Sequence, residues 1–131
     1  MKTELRLSLY TEFFEHTKTD KKEDYRLITP YWCNRLLLWQ GKNISKLQWA
    51  KTIGHSDLST EFLLKKYITL GFITSKRFTE NIMTLGYPKS TDTDKILRLE
   101  HKGIEIRTGN PEWGAEPNKI YFVIMHGDLI N

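Results

Sequence analysis

Thr19-Asp20-Lys21-Lys22-Glu23-Asp24-Tyr25-Arg26-Leu27-Ile28-Thr29-Pro30-Tyr31-Trp32 crowds cations, carboxylates and aromatic rings into a turn that leads into a strand and then a helix. The polar run 19–24 reads as the turn, and 25–28 returns to strand character. Pro30 suits a helix start, because its ring presets a helical φ and its missing N–H is not needed there. Residues 31–39 then show helical apolar spacing. On a strand the side chains alternate, so Asp24 and Arg26 share one face and Tyr25 takes the other. The pair can close an ion pair, or offer a donor fork and an acceptor to a polar ligand.

Working outward, Leu5-Arg6-Leu7-Ser8-Leu9 alternates strictly and predicts a half-buried strand. Thr11 can cap a short helix over 11–18 that carries Phe13, Phe14 and Thr17. Downstream, Asn43 or Ser45 opens a helix with Ile44, Leu47, Ala50 and Ile53 on one face, and Gly54 stops it. Ser56 can cap the next helix, with Leu58, Phe62, Leu63, Tyr67 and Ile68 expected to be buried and Gly71 as the stop. From Phe72 the character turns to β, with strands expected over 78–85, 95–100, 103–107 and 120–125. The last of these is apolar throughout, as a strand covered on both faces must be. The expected architecture is α+β, a small closed or nearly closed barrel of five or six strands with flanking helices.

The length of 131 residues fits one domain spanning 1–131. No apolar run approaches the roughly 20 residues a bilayer requires, and the start has no apolar leader core, so no membrane partner and a cytoplasmic address are expected. The lone Cys33 has no partner for a disulfide and reads as a buried structural thiol. His16, His55, His101 and His126 show no ligand spacing, so no metal and no cofactor are expected. The net charge is +4 with a pI near 9.1, compatible with one phosphate-lined groove. Five lysines against Asp57 and Glu61 make 41–75 net +3, while 101–131 is net −1 with three basic and four acidic residues. Those lysines are either solvated helix surface or a phosphate-contacting patch.

A second constellation is Gly109-Asn110-Pro111-Glu112-Trp113-Gly114-Ala115-Glu116-Pro117, a structured loop holding a tryptophan beside a carboxylate. It either closes one end of the barrel, with Glu112 capping backbone amides, or recognises a base by stacking and by accepting from an exocyclic amine. Taken in order, Leu5-Arg6-Leu7, Phe13-Phe14, Asp20 to Arg26, Thr29-Pro30-Tyr31-Trp32 with Arg35-Leu36, Thr84-Leu85-Gly86-Tyr87-Pro88, Gly103-Ile104-Glu105-Ile106, Glu112-Trp113-Gly114-Ala115 and Tyr121-Phe122-Val123-Ile124 resemble the ASCH superfamily, closest to its small phage-associated and bacterial members. The resemblance covers 4–36 and about 78–130.

The resemblance implies a PUA-like barrel that binds RNA or nucleotides in a cleft. Small members of the family include amidohydrolases acting on N4-acetylcytidine and ribonucleases. The family's first motif falls on Thr19, Lys21, Asp24 and Arg26, with Thr19 in place of a glycine. Lys21 matches the catalytic lysine of the deacetylating members, whereas Asp24 stands where their threonine nucleophile would be. A carboxylate cannot make that hydroxyl attack, although Lys21 with Asp24 or Glu112 can still hold and activate a water. Residues 40–75 stand outside the resemblance as an inserted helical hairpin.

Three functions are therefore expected, in this order. The first is recognition of RNA or a nucleotide through Lys21, Lys22, Arg26, Tyr31, Trp32, Arg35 and Trp113. The second is hydrolysis of a modified nucleoside or RNA by Lys21, Asp24 and Glu112. The third is binding of a host or partner protein through 40–75, which supplies aromatic surface.

Overall fold

The computed structural model of the chain describes residues 3–55 and 58–130. The alternation of Leu5, Leu7 and Leu9 does what its period requires: β1 (Glu4–Leu9) buries all three leucines and turns Glu4 and Arg6 outward. Helix α1 (Thr11–Thr19) follows, with Phe14 and Thr17 buried. Its N-cap is Tyr10, with Thr11 as the first helical residue and no side-chain cap. Strand β2 (Glu23–Arg26) then leads to α2 (Pro30–Leu36), where the Thr29 hydroxyl accepts from the Trp32 amide and proline occupies the first turn.

The helix expected to run to Trp39 stops at Leu36. Leu37–Trp39 instead forms β3, paired antiparallel with β4 (Ile73–Ser75). The short apolar run Leu36-Leu37-Leu38 satisfies either period, and the partner strand arriving from 73–75 decides between them. Between β3 and β4 lie α3 (Lys46–Ile53), capped by Ser45, and α4 (Leu58–Thr69). The expected cap Ser56 falls outside the described residues.

Two expected burial faces are corrected. In α3 the buried residues are Trp49 and Ile53, while Leu47 is 66% exposed. In α4 Leu64 and Thr60 are fully buried, and Phe62 is 67% exposed. Both helices pack toward the core from a direction that spacing alone does not define. Trp49, Ile53, Leu64 and Ile73 join the same hydrophobic cluster as Leu5, Leu7, Phe14 and Phe122. The 40–75 segment is thus part of the core rather than an appendage on it.

The remaining strands are β5 (Glu80–Leu85), β6 (Ile96–Thr108) and β7 (Ile120–Leu129). The five-stranded sheet has the order β1-β5-β6-β7-β2, with β1 parallel to β5 and the other pairs antiparallel. The segments expected as two strands, 95–100 and 103–107, form one continuous β6. Its register against β7 shifts between Leu99 and His101 and again between His101 and Gly103, and Gly103 has φ +124°. These irregularities bend β6, so its first half pairs with β5 and its second with β7. The result is a curled half-barrel with four helices in a mixed α+β chain. Tyr121, Phe122, Val123 and Ile124 of β7 are all buried, as the unbroken apolar run requires.

The curl brings the two outer strands together without a backbone ladder between them. Arg26 of β2 donates to the Ser8 carbonyl at 2.9 Å, and Arg35 of α2 donates to the Arg6 carbonyl at 2.7 Å, both on β1. Arginine side chains thus occupy the seam between the sheet's edges.

Candidate functional site

A cavity of about 780 Å³ opens at this seam. Alternation on the strands builds its floor. Arg6 and Ser8 of β1, Ile82 and Thr84 of β5, and Ile96 and Arg98 of β6 share one sheet face. Tyr31, Trp32 and Arg35 come from α2, Arg26 from β2, and Gly86-Tyr87-Pro88 from the turn after β5. Four arginines line the cavity and, among the described residues, no acidic one does.

Three of the arginines are held in place rather than free to swing. The Arg26 and Arg35 guanidinium carbons both lie 4.9 Å from the Trp32 ring centroid. Arg26 is also bound to Asp24 at 2.6 Å, and Arg98 to Glu4 and Glu80 at 2.7 and 2.9 Å. A stacked, hydrogen-bonded guanidinium keeps further N–H donors for a ligand and loses little entropy on binding it. Tyr87 stands at the mouth with 96% of its surface exposed. A ring that exposed contributes nothing to the core and is available to stack.

A second group of polar side chains is buried behind β2. Lys21 and Asp24 are each 3% exposed, with Lys21 Nζ 3.6 Å from Asp24 Oδ1. Burial pushes the Lys21 amine below its usual range, with the Asp24 charge opposing the shift. Asn81 of β5 joins two histidines that the sequence leaves far apart. Its Oδ1 is 2.7 Å from His101 Nδ1, and its Nδ2 is 2.7 Å from His126 Nδ1 while also donating to the Met125 carbonyl. Burial is the main cause that drives His126 down to about 4.

This histidine predicts a pH dependence of stability. A folded-state value below the ordinary 6.5 means that the unfolded chain binds the extra proton first as pH falls. Stability contributed by neutral His126 is therefore complete above about pH 7.5 and is lost as pH drops from 6.5 toward 4. Urea unfolding at pH 7.5 and pH 5 is expected to differ by about 2 kcal/mol through this group, and H126Q is expected to flatten most of that slope. An unchanged slope in H126Q would exclude His126 as its source.

The structure distributes the expected site residues over three places. Arg26, Tyr31, Trp32 and Arg35 meet in the arginine cavity. Lys21 and Lys22 line a separate cavity with His126. Trp113 and Glu112 line none of the three described cavities; Trp113 is half-buried and Glu112 exposed. The reason lies in the alternation of β2. The 109–115 loop is fastened to Tyr25, whose hydroxyl accepts from the Asn110 amide at 2.8 Å and whose ring lies where a Cβ on Gly109 would sit. Tyr25 faces away from Asp24 and Arg26, so the loop packs on the opposite face of the strand. Gly114, with φ +100°, packs that loop against the Phe13 ring. Lys21 Nζ lies 5.1 Å from the centroid of the same ring. Of the three expected catalytic residues, Lys21 and Asp24 are brought together, while Glu112 stands in the exposed turn.

Arg6, Arg98 and Tyr87 belong to the cavity and were not singled out in the sequence. Arg6 and Arg98 each sit between two leucines, and that alternation marks them as residues of the solvent-side face. A tyrosine between Gly86 and Pro88 marks a ring on a turn. Cys33 is fully buried and its thiol is pushed up to about 12, as an inert structural residue requires. Among the described residues no group of three or more His, Cys, Asp or Glu is placed to hold a metal ion. No helix among them is long and apolar enough to cross a membrane.

No protein-family model, curated protein or solved structure matches this chain. What can be said of function therefore rests on the chemistry of the cavities.

Proposed function

We propose that the chain is an RNA- or nucleotide-binding module of the ASCH, PUA-like type, and that the arginine cavity is its binding site. One observation carries this reading: a cavity of about 780 Å³ with four arginines, no lining carboxylate among the described residues and an exposed tyrosine at its mouth. A volume of that order suits a ligand of nucleotide size. Arg6, Arg26 and Arg98 are already paired with carboxylates that stand behind the lining, and the N–H donors they and Arg35 keep free are planar forks that match phosphate oxygens. Tyr87 supplies a stacking platform, which is how unpaired bases are held. The family resemblance of the first motif points to the same ligand class. In this reading Arg26, Tyr31, Trp32 and Arg35 bind the ligand together with Arg6, Arg98 and Tyr87.

Fluorescence anisotropy with short single-stranded RNA and with labelled nucleoside monophosphates tests the proposal. Binding is expected to weaken steeply with salt, because each neutralised phosphate releases counterions. Tyr87→Ala should leave thermal stability unchanged and weaken RNA binding by about 1–3 kcal/mol, the usual worth of a base–aromatic stack. Arg6→Gln, at a largely exposed side chain, should reduce the salt slope by about one phosphate. Absence of binding to either ligand at low salt would overturn the assignment.

A further inference from the structure

The Lys21 cavity is a different place from the arginine cavity, and β6 separates the two. Ile96 and Arg98 line the arginine cavity, whereas the intervening Leu97 and Leu99 line the smaller one, of about 370 Å³. Alternate residues of a strand face opposite ways, so the cavities lie on opposite faces of the sheet.

Two residues that carry buried hydrogen-bond donors line this second cavity, His126 and Lys21. His126, 6% exposed, lines it. Its tautomer follows from its neighbour: the Asn81 amide nitrogen donates to the Met125 carbonyl, so it also donates to His126 Nδ1, and the ring proton sits on Nε2. Nε2 is buried, and among the described residues it has no hydrogen-bond partner. A buried donor left unpaired costs about 1–3 kcal/mol, which a bound acceptor would recover. The second donor is Lys21 Nζ, 3% exposed, with Asp24 at 3.6 Å. Asp24 is shared with Arg26 at 2.6 Å, so the trio of two cations and one carboxylate carries a net charge of +1. Leu97, Leu99 and Leu129 provide apolar wall, and Lys18 and Lys22 also line the cavity, with Asp128 as the only carboxylate in the lining among the described residues.

We propose that this cavity is a second binding site, which takes a small monocarboxylate with a short apolar tail, its oxygens held by His126 Nε2–H and Lys21 Nζ and its tail laid on the leucines. The acid supplies the missing negative charge and the missing acceptor together, and the leucines give its tail an apolar surface. The site goes beyond the nucleotide-binding reading and does not depend on it.

The test is a titration of the full-length, isotope-labelled protein with sodium butyrate, followed through the imidazole nitrogens of His126 by NMR. A saturable shift of His126 Nε2 is expected, with His16 and His55 unmoved. The apparent affinity should fall at least tenfold in K21M, and in L99F, which adds bulk to the apolar wall. The wild-type titration decides the matter even where a variant misfolds. Three results would overturn the proposal: no saturable shift of His126, an equal shift with butanol, which lacks the carboxylate, or an equal shift with inorganic phosphate. The last would make the cavity a general anion site. RNA anisotropy in L99F separates the two sites. Loss of butyrate binding with RNA binding retained is expected, whereas loss of RNA binding in the folded L99F protein would refute the separation of the cavities.

Discussion

Asp24→Ala is expected to destabilise the fold by about 3–5 kcal/mol, the usual penalty for stripping one partner from a buried ionic group. Asp24 is 3% exposed and stands between Lys21 Nζ at 3.6 Å and Arg26 Nε at 2.6 Å. Its removal leaves two cations facing each other across a small hole, with Lys21 buried at 3% exposure. It also frees Arg26, the side chain that ties β2 to the Ser8 carbonyl of β1, so the seam that frames the arginine cavity loosens. Asp24→Asn keeps the shape and one acceptor but loses the charge, and an intermediate loss is expected. The double variant K21M/D24A should recover part of the D24A loss, because the buried cation is removed with its partner. Urea unfolding of the four proteins measures all of this. A D24A protein within 1 kcal/mol of wild type would mean that the trio is not a buried ionic unit.

Trp49→Ala is the second large effect, with an expected loss of about 3–5 kcal/mol. Trp49 is fully buried, meets the Trp39 ring edge-on at 6.3 Å, and belongs to the cluster that also holds Leu7, Phe14 and Phe122. An alanine there leaves a cavity that the surrounding strands and helices cannot collapse to fill. Trp49→Phe should cost much less, below about 2 kcal/mol. It retains a ring for Trp39 and deletes an indole N–H that is buried and, among the described residues, unpaired. The pair of substitutions also reports on the 40–75 segment. If that segment were a separable appendage, W49A would unfold it alone, and the amide spectrum of β1, β5, β6 and β7 would persist. The shared core predicts one cooperative transition for both regions.

Legibility in the sequence followed the range of the interactions. Leu5, Leu7 and Leu9 were readable as the inward face of a strand because period-two alternation is a local property. The cap by Ser45, the helix start at Pro30 and the buried β7 were readable for the same reason, since each depends on a few neighbouring residues. The motif placed Asp24 with Arg26 on one face, where they do pair at 2.6 Å, although the strand expected over 25–28 runs over Glu23–Arg26 and takes in the end of the expected turn. The burial of Trp49 and Leu64 was not readable, because helix spacing defines a stripe without naming the surface that will cover it. The strand at 37–39 was hidden likewise, since its partner at 73–75 lies beyond the intervening helices.

The sequence by itself determined which segments are amphipathic, where most elements begin, and which side chains share a face with Arg26. Only the tertiary structure decided where those faces lead. It set Trp113 on the Tyr25 side of β2, drew Arg6 and Arg98 to the seam beside Arg26 and Arg35, and joined His101 to His126 through Asn81. The physical reason is that alternation settles a side chain's direction relative to its own strand. What it meets there depends on how β6 bends at Gly103 and how the sheet curls until β1 and β2 face each other, and that depends on contacts made across the whole chain.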